Sequence, residues 1–186
     1  EGRGFYVGDA LLMAIGQGLN AVTPLQLTNA YATIANGGYL MRPQIVKAIY
    51  EPGVPDSDLL GVADVAAGAP EKIYTPEIRL NLEANPEHLW LITQGLIGAV
   101  NCRYVAGHAP TGCTAFRGYP LGRLPLAGKT GTAQGKGNLP ENDSSAFVGY
   151  DVALDGYTIG AYLEKAGYGG AGSAPLVRCM FLAIHD

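Results

Sequence analysis

The stretch LPLAGKTGTAQ, residues 124–134, holds the residues best suited to chemistry in this chain. A lysine ammonium and neighbouring hydroxyls bind anions through charge-assisted hydrogen bonds, and glycine lets a ligand approach the backbone closely. Two kinds of site place these residue types together: a phosphate-binding loop at a helix N-terminus, and an extended strand that binds the carboxylate end of a peptide. The neighbouring residues distinguish between them.

The spacing disfavours a nucleotide-binding loop. Such a loop has four residues between its first glycine and the Gly-Lys-Thr, whereas five separate Gly122 from Gly128. Pro125 lies inside the would-be loop. The sequence GTAQGKGN that follows Thr130 is also a poor start for the helix whose N–H groups would bind the phosphate.

An extended strand fits these residues better. Alternation puts Thr130 and Thr132 on one face of the strand and Lys129 and Gly131 on the other. Two hydroxyls side by side can then donate to a carboxylate, and the long lysine stem can bring its ammonium to the strand edge. The strand is predicted to be an anion-binding element.

A helix is predicted in VTPLQLTNAYATIANGGY. Thr23 and Gln26 form a capping box around Pro24 at the start of the helix. Asn36-Gly37-Gly38 can adopt the left-handed backbone conformation that ends a helix. The predicted buried stripe consists of Leu27, Ala30, Tyr31 and Ile34.

A second helix is predicted after Asn85, its N-cap, in NPEHLW and the residues that follow. Its predicted buried stripe consists of Leu89, Ile92, Leu96 and Ala99. Three other segments are predicted from composition: extended chain at 39–49, a Pro-, Gly- and Asp-rich excursion at 51–72, and a functional surface loop at 102–124.

The last third of the chain predicts a sheet. LPLAGKTGTAQ, SAFVGYDVAL and YTIGAYLE are three strand-like runs, and Asp155-Gly156 is a hairpin signal between the last two. A final helix, capped by Ser173 and largely buried against the sheet, is predicted from the apolar residues Leu176, Val177, Met180, Phe181 and Ile184. The sum is an α+β domain: an antiparallel sheet flanked by helices.

Composition excludes several function classes. A net charge of -4 with 12 basic residues argues against a nucleic-acid partner, and no apolar run approaches the roughly 18 residues of a membrane span. The scattered cysteines and histidines have no metal-ligand spacing. Cys102 and Cys113 could pair in an oxidising compartment, whereas Cys179, in an apolar stretch, is predicted to lie in the core.

These motifs together resemble a known family. KTGT at 129–132 follows AIGQGLNAVTPLQLTNAYATIANGG and precedes SAFVGYD and a helix after APL. This set resembles the C-terminal half of the transpeptidase domain of class B penicillin-binding proteins, the elongation type in particular, over nearly all of 1–186. The implied fold is that of the serine β-lactamases and transpeptidases, present as its C-terminal half. Gln17 and Asn20 lie in a family-typical stretch and are interpreted as structural residues of a helix-entry turn near the site.

The resemblance implies roles for individual residues. The ammonium of Lys129 would help hold the hydrogen-bond and charge network of the active site. The hydroxyls of Thr130 and Thr132, with Gly131 between them, would bind the terminal carboxylate of a peptide or a β-lactam. The backbone N–H of Thr132 would be one of two oxyanion-hole donors. No metal and no cofactor is implied.

The chain departs from the family pattern in two ways. None of the serines, Ser57, Ser144, Ser145 and Ser173, begins the S-x-x-K motif of the nucleophile or the S-x-N motif. This chain alone is therefore expected to be inactive and to be a C-terminal piece of a longer protein. Relatives also commonly carry a histidine and a tryptophan where this chain has Ser144 and Ala146.

The implied parent protein cross-links peptidoglycan by acyl transfer through a serine. Its expected partners are D-Ala-D-Ala stem peptides, β-lactams, the missing N-terminal half of the domain and other cell-wall synthesis proteins. It is expected at the outer face of the bacterial cytoplasmic membrane, held by an N-terminal anchor.

Other functions stay open at this stage. They are a penicillin-sensing or inactive binding module on the same fold, a β-lactamase, and a nucleotide-binding protein. With half a domain missing, an exposed apolar face and self-association are also expected.

Overall fold

The computed structural model describes residues 4–50, 70–102, 107–135, 137, 139–152 and 156–185. Its helices are α1 (Val7–Ala14), α2 (Pro24–Ala35), α3 (Pro86–Val100), α4 (Cys113–Phe116) and α5 (Ser173–His185). Its strands are β1 (Tyr39–Met41), β2 (Ala48–Ile49), β3 (Lys72–Ile73), β4 (Ile78–Asn81), β5 (Leu126–Ala133), β6 (Ser144–Asp151) and β7 (Thr158–Leu163). A short 3₁₀ helix, Pro140–Asn142, precedes β6.

The central element is an antiparallel sheet in the order β5-β6-β7. Lys129 pairs with Val148 and Thr130 with Phe147 across the first ladder, and Phe147 pairs with Ala161 across the second. All three strand-like runs of the last third are therefore confirmed as strands. Two further antiparallel ribbons, β1 with β4 and β2 with β3, lie outside this sheet.

Helices cover both faces of the sheet. On one face, Val177 and Phe181 of α5 are fully buried against Phe147 and neighbouring core residues. On the other face, α2 approaches so closely that a Cβ at Gly160 would collide with the side chain of Thr28. This arrangement is the predicted α+β architecture.

The predicted helix caps are confirmed. Thr23 accepts a hydrogen bond from the Gln26 N–H at 3.2 Å, and the Gln26 side chain accepts one from the Thr23 N–H at 2.9 Å. Gly37, at φ +89°, lies just past the end of α2. Asn85 accepts from the Glu87 N–H at 2.9 Å and is the N-cap of α3, which begins at Pro86.

The sequence analysis overlooked α1. Its N-terminus is held by Asp9, whose carboxylate accepts a hydrogen bond from the Tyr6 N–H at 2.9 Å, a side chain reaching back as in a capping box. Eight residues give too few turns for a convincing apolar stripe, so the helix left only this weak signal.

The prediction that α5 is largely buried is wrong. Its sheet-facing residues are buried, but Leu176, Met180 and Ile184 are exposed, and so is Cys179, which was predicted to lie in the core. A helix with apolar residues on all sides needs protein packed against more than one side, and the described residues pack against only one side of α5. Ala30 of α2 and Ile92 of α3, both predicted to be buried, are exposed for the same reason.

Ser173 does not act as the predicted helix cap. It is the first residue of α5, and its hydroxyl donates to the Ser145 carbonyl at 2.8 Å. The Ser145 hydroxyl accepts in turn from the Ser173 N–H at 2.8 Å. This reciprocal pair joins the start of α5 to β6.

Cys102 and Cys113 form a disulfide with their Cα atoms 4.7 Å apart.

Of the predicted hairpin turn between β6 and β7, Asp155 lies outside the described residues, as does most of the excursion at 51–72. Within the part of the chain that the structure describes, no helix is long and apolar enough to cross a membrane. The same residues contain no cluster of side chains able to hold a metal ion.

Candidate active site

The Gly-Lys-Thr lies in the middle of a strand. Gly128, Lys129 and Thr130 all belong to β5, which pairs along its whole length with β6. A phosphate-binding loop would need these residues at the start of a helix. The structure therefore excludes that arrangement and confirms the extended strand.

Lys129 and Thr130 meet at Thr111. The Lys129 ammonium donates to the Thr130 carbonyl at 3.0 Å and lies 3.5 Å from the Thr111 hydroxyl. The Thr130 hydroxyl donates to the Thr111 hydroxyl at 2.7 Å. The lysine stem therefore brings its ammonium to the strand edge, as predicted, although the lysine Cβ begins on the opposite face.

Thr111 is held by the loop around it. The disulfide fixes Cys113 two residues later, and the Gly112 N–H donates to the Ala99 carbonyl of α3 at 3.0 Å. A Cβ at Gly112 would lie 2.9 Å from that carbonyl, so the close approach needs glycine. The loop between α3 and β5 thus presents one hydroxyl to the KTGT strand.

Thr132 is the second threonine of the strand, and its side chain and backbone have different partners. Its hydroxyl accepts from the Gly169 N–H at 3.3 Å. Its carbonyl accepts from the side-chain amide of Gln17 at 3.1 Å. Because the N–H and C=O of a strand residue point the same way, the Thr132 N–H faces the outer edge of β5, away from β6.

The segment that precedes α5 packs tightly against this strand. A Cβ at Gly169 would collide with the carbonyls of Gly131 and Ala146, and one at Gly170 would lie 2.6 Å from the Thr111 carbonyl. These glycines let the segment lie directly on the threonine face of β5. The sequence did not predict this role, because GYGGAGSAP indicates only a connection that leads into the last helix.

An open cleft of about 1080 Å³ lies between the sheet and the α1–α2 region. Lys129, Thr130 and Thr132 line one wall. Asn20 and Tyr31 line the other. Burial, and secondarily the nearby Tyr150, raises the pKa of Tyr31 above 10.0, so its hydroxyl is neutral at physiological pH.

Comparison with protein families identifies the domain that contains this strand and cleft. Residues 4–181 match the penicillin-binding protein transpeptidase domain. The chain belongs to this family. The match takes in every site residue described above and confirms the resemblance that the KTGT and TPLQL motifs indicate.

Two curated relatives are similar to this transpeptidase domain. Penicillin-binding protein 2A of Bacillus subtilis is 32% identical over 150 residues, which are 81% of this chain and 18% of the relative. Penicillin-binding protein 1A of Neisseria gonorrhoeae is 27% identical over 175 residues, 90% of this chain and 18% of the relative. The chain therefore spans less than a fifth of their length.

Solved structures share the fold. The imipenem acyl-enzyme complex of penicillin-binding protein A from Mycobacterium tuberculosis superposes with a TM-score of 0.68 at 25% identity, covering 94% of this chain and 33% of that one. Penicillin-binding protein 2B from Streptococcus pneumoniae gives a TM-score of 0.66 at 20% identity, covering 98% and 27%. The α+β fold, present in part, is confirmed.

Ser144 and Ala146, the two positions at which the chain departs from the family pattern, lie beside the KTGT strand. Ser144 pairs with Ala133 and Ala146 with Gly131 in the β5–β6 ladder. Ala146 lines the cleft. The side chains beside the KTGT strand at these two positions are therefore small.

Two contacts of the site were not predicted. Thr111 lies in the segment predicted as a functional surface loop, but its sequence did not indicate which hydroxyl of the loop would contact the KTGT strand. Gln17 was interpreted as structural, yet it reaches a strand 115 residues away. Asn20 fits the structural interpretation, since its side chain donates to the Met13 carbonyl at 2.9 Å within its own turn.

Proposed function

We propose that this chain supplies the carboxylate-binding strand and one oxyanion donor of a serine-type peptidoglycan D,D-transpeptidase. One observation carries the proposal: at the outer edge of β5, the Lys129 ammonium and the Thr130 and Thr132 side chains line the same open cleft. Family membership gives that arrangement its chemical context.

The hydrogen bonds of the strand suit a carboxylate ligand. The Thr132 hydroxyl accepts from Gly169, which leaves its own proton to donate to the ligand. The Thr130 hydroxyl donates to Thr111 in this structure and would rotate toward a bound carboxylate. The Lys129 ammonium adds a positive charge, which strengthens such hydrogen bonds.

The reaction needs a serine that this chain does not place in an S-x-x-K motif. In the natural protein, the serine oxygen would attack the carbonyl between two D-alanines and form an ester, while the C–N bond breaks and the terminal D-alanine leaves with a proton. An amine of a neighbouring stem peptide would then attack the ester, form the new amide and release the serine. The Thr132 N–H would donate to the oxyanion in both steps.

A β-lactam would enter the same cleft. Its carboxylate would lie against Thr130 and Thr132, and opening of its ring by the serine would leave an acyl-enzyme. Imipenem forms an acyl-enzyme with the M. tuberculosis relative. Residues of the natural protein outside this chain, above all the other half of the domain, are the partners that would complete the site.

The proposed location is the outer face of the cytoplasmic membrane, with an N-terminal anchor and other cell-wall synthesis proteins as partners. The disulfide between Cys102 and Cys113 supports this location, because structural disulfides persist in oxidising compartments. A peptidoglycan synthase complex is among the similar solved structures, at a TM-score of 0.64 and 26% identity.

Labelling with a fluorescent penicillin tests the proposal. In the full-length natural protein that carries this chain, Lys129→Ala is expected to slow acylation by about 100-fold, the scale on which loss of one preorganised electrostatic group acts. Lys47→Ala removes an exposed lysine away from the cleft and is the matched control. It is expected to acylate at the wild-type rate.

Two results would contradict the proposal. One is a wild-type protein that penicillin does not label, and the other is equal labelling of Lys129→Ala and Lys47→Ala. Transfer of the acyl group to an acceptor amine, measured with a synthetic D-Ala-D-Ala peptide, separates a transpeptidase from a penicillin-sensing module. The transpeptidase is expected to form the new amide.

A further inference from the structure

Gln17 reaches the KTGT strand from the turn after α1. Its side-chain amide donates to the Thr132 carbonyl at 3.1 Å, a contact between residues 115 positions apart. Gln17 is half-buried, whereas the glycines on either side of it are exposed. The side chain thus leaves its own turn and packs against β5.

The turn is built to project this side chain. The Gln17 N–H donates to the Leu12 carbonyl at 2.9 Å, and the Gly16 N–H to the Met13 carbonyl at 3.0 Å. Gly16 and Gly18 have φ of +76° and +72°, in the region that favours glycine. A Cβ at Gly18 would also lie 3.1 Å from the Leu12 Cβ, so the backbone of the turn is closely constrained.

The contact changes the charge distribution at the strand edge. The carbonyls of Thr130 and Thr132 both face outward, beside the Thr132 N–H that the proposed function assigns to the oxyanion. A bare carbonyl oxygen there would repel a developing negative charge. Lys129 donates to the first carbonyl at 3.0 Å and Gln17 to the second at 3.1 Å, so each outward oxygen already has a donor.

We propose that Gln17 is a positioning residue for the acylation step. By donating to the Thr132 carbonyl, it holds the end of the KTGT strand in place and offsets the oxygen charge next to the oxyanion. The effect belongs to the transition state, where the negative charge develops, so it acts on the rate of acylation more than on ground-state binding. This inference rests on the proposed function of the same strand.

The experiment measures acylation of the full-length natural protein by a chromogenic cephalosporin, separating the acylation rate from the dissociation constant of the initial complex. Gln17→Met keeps the length of the side chain and removes its donor. Its acylation rate is expected to fall about tenfold, the equivalent of one hydrogen bond, with the dissociation constant within about twofold of wild type. Gln44→Met is the matched control, because the Gln44 side-chain amide donates in the same way to the Thr75 carbonyl at 3.1 Å and does not line the cleft.

A second variant gives a pH signature that a merely structural role would not produce. Gln17→Glu has no donor while its carboxyl is ionised and regains one when the carboxyl is protonated. Its acylation rate relative to wild type is therefore expected to rise as the pH falls from about 7 toward 5, since a carboxyl facing a carbonyl oxygen has a pKa raised above its usual value near 4.3. The deficit of Gln17→Met is expected to be the same at both pH values.

The outcomes are distinguishable. If wild type is acylated but Gln17→Met behaves like Gln44→Met, the positioning role is wrong and the proposed function stands. The positioning role would also be wrong if Gln17→Met lost acylation rate and initial binding equally. It would be wrong as well if the acylation deficit of Gln17→Glu did not depend on pH. If wild type is not acylated at all, the proposed function itself fails. Thermal melting of each variant identifies any that does not fold.

Discussion

At the scale of single residues, the site depends on Thr111. Its hydroxyl lies 2.7 Å from the Thr130 hydroxyl and 3.5 Å from the Lys129 ammonium. It can relay a hydrogen bond from the lysine to the threonine when Thr130 turns toward a carboxylate. Thr111→Val keeps the shape of the side chain and removes this relay. The acylation rate of the full-length protein by penicillin is expected to fall about threefold to tenfold.

A matched threonine separates this effect from a general loss of stability. Thr114→Val makes the same change in α4, where no described contact to Lys129 or Thr130 is made. It is expected to leave acylation unchanged. If both variants lose the same fraction of activity, Thr111 has no specific role and the relay does not exist.

At the scale of elements, the disulfide connects the end of α3 to α4 and so fixes the loop that presents Thr111. In the chain-entropy model, a link between residues 11 positions apart stabilises the fold by roughly 2–3 kcal/mol. Replacing both cysteines, Cys102→Ser with Cys113→Ser, is expected to lower the melting temperature by about 5–10 °C. Cys179→Ser, at an exposed free cysteine, is the control and is expected to melt as wild type does.

The disulfide prediction also has a chemical test. Before reduction, a thiol reagent is expected to label Cys179 and not the other two cysteines. Labelling of all three in the unreduced protein, or an unchanged melting temperature of the double variant, would show that the bond does not stabilise this loop.

The sequence predicted elements well where the signal was local. The capping box at Thr23 and the alternation of β5 need only neighbouring residues, and both are confirmed. The contacts at Thr111 and Gln17 could not be predicted, because they join segments 18 or more positions apart and depend on close approaches that glycines allow. The burial of α5 was overestimated because apolar composition indicates that a helix needs cover, not where the cover comes from.

At the scale of the whole molecule, the described residues expose an unusual number of large apolar side chains. Exposed apolar side chains cluster on α1, α3 and α5, where Val7 is 80% exposed, Trp90 58% and Leu176 45%. Such a surface is normally covered by protein.

The 186-residue chain produced alone is therefore expected to self-associate. Light scattering over a concentration series should show dimers or larger species, because pairing buries apolar area that water would otherwise contact. Three triple variants locate the face. Each changes three exposed apolar residues of one helix to Gln: Val7, Leu11 and Leu12 on α1, Trp90, Leu91 and Ile92 on α3, and Leu176, Met180 and Ile184 on α5. The variant that restores a monomer identifies the face that pairs. A monodisperse wild-type monomer at all concentrations would contradict the prediction and would mean that these apolar surfaces tolerate water in the folded chain.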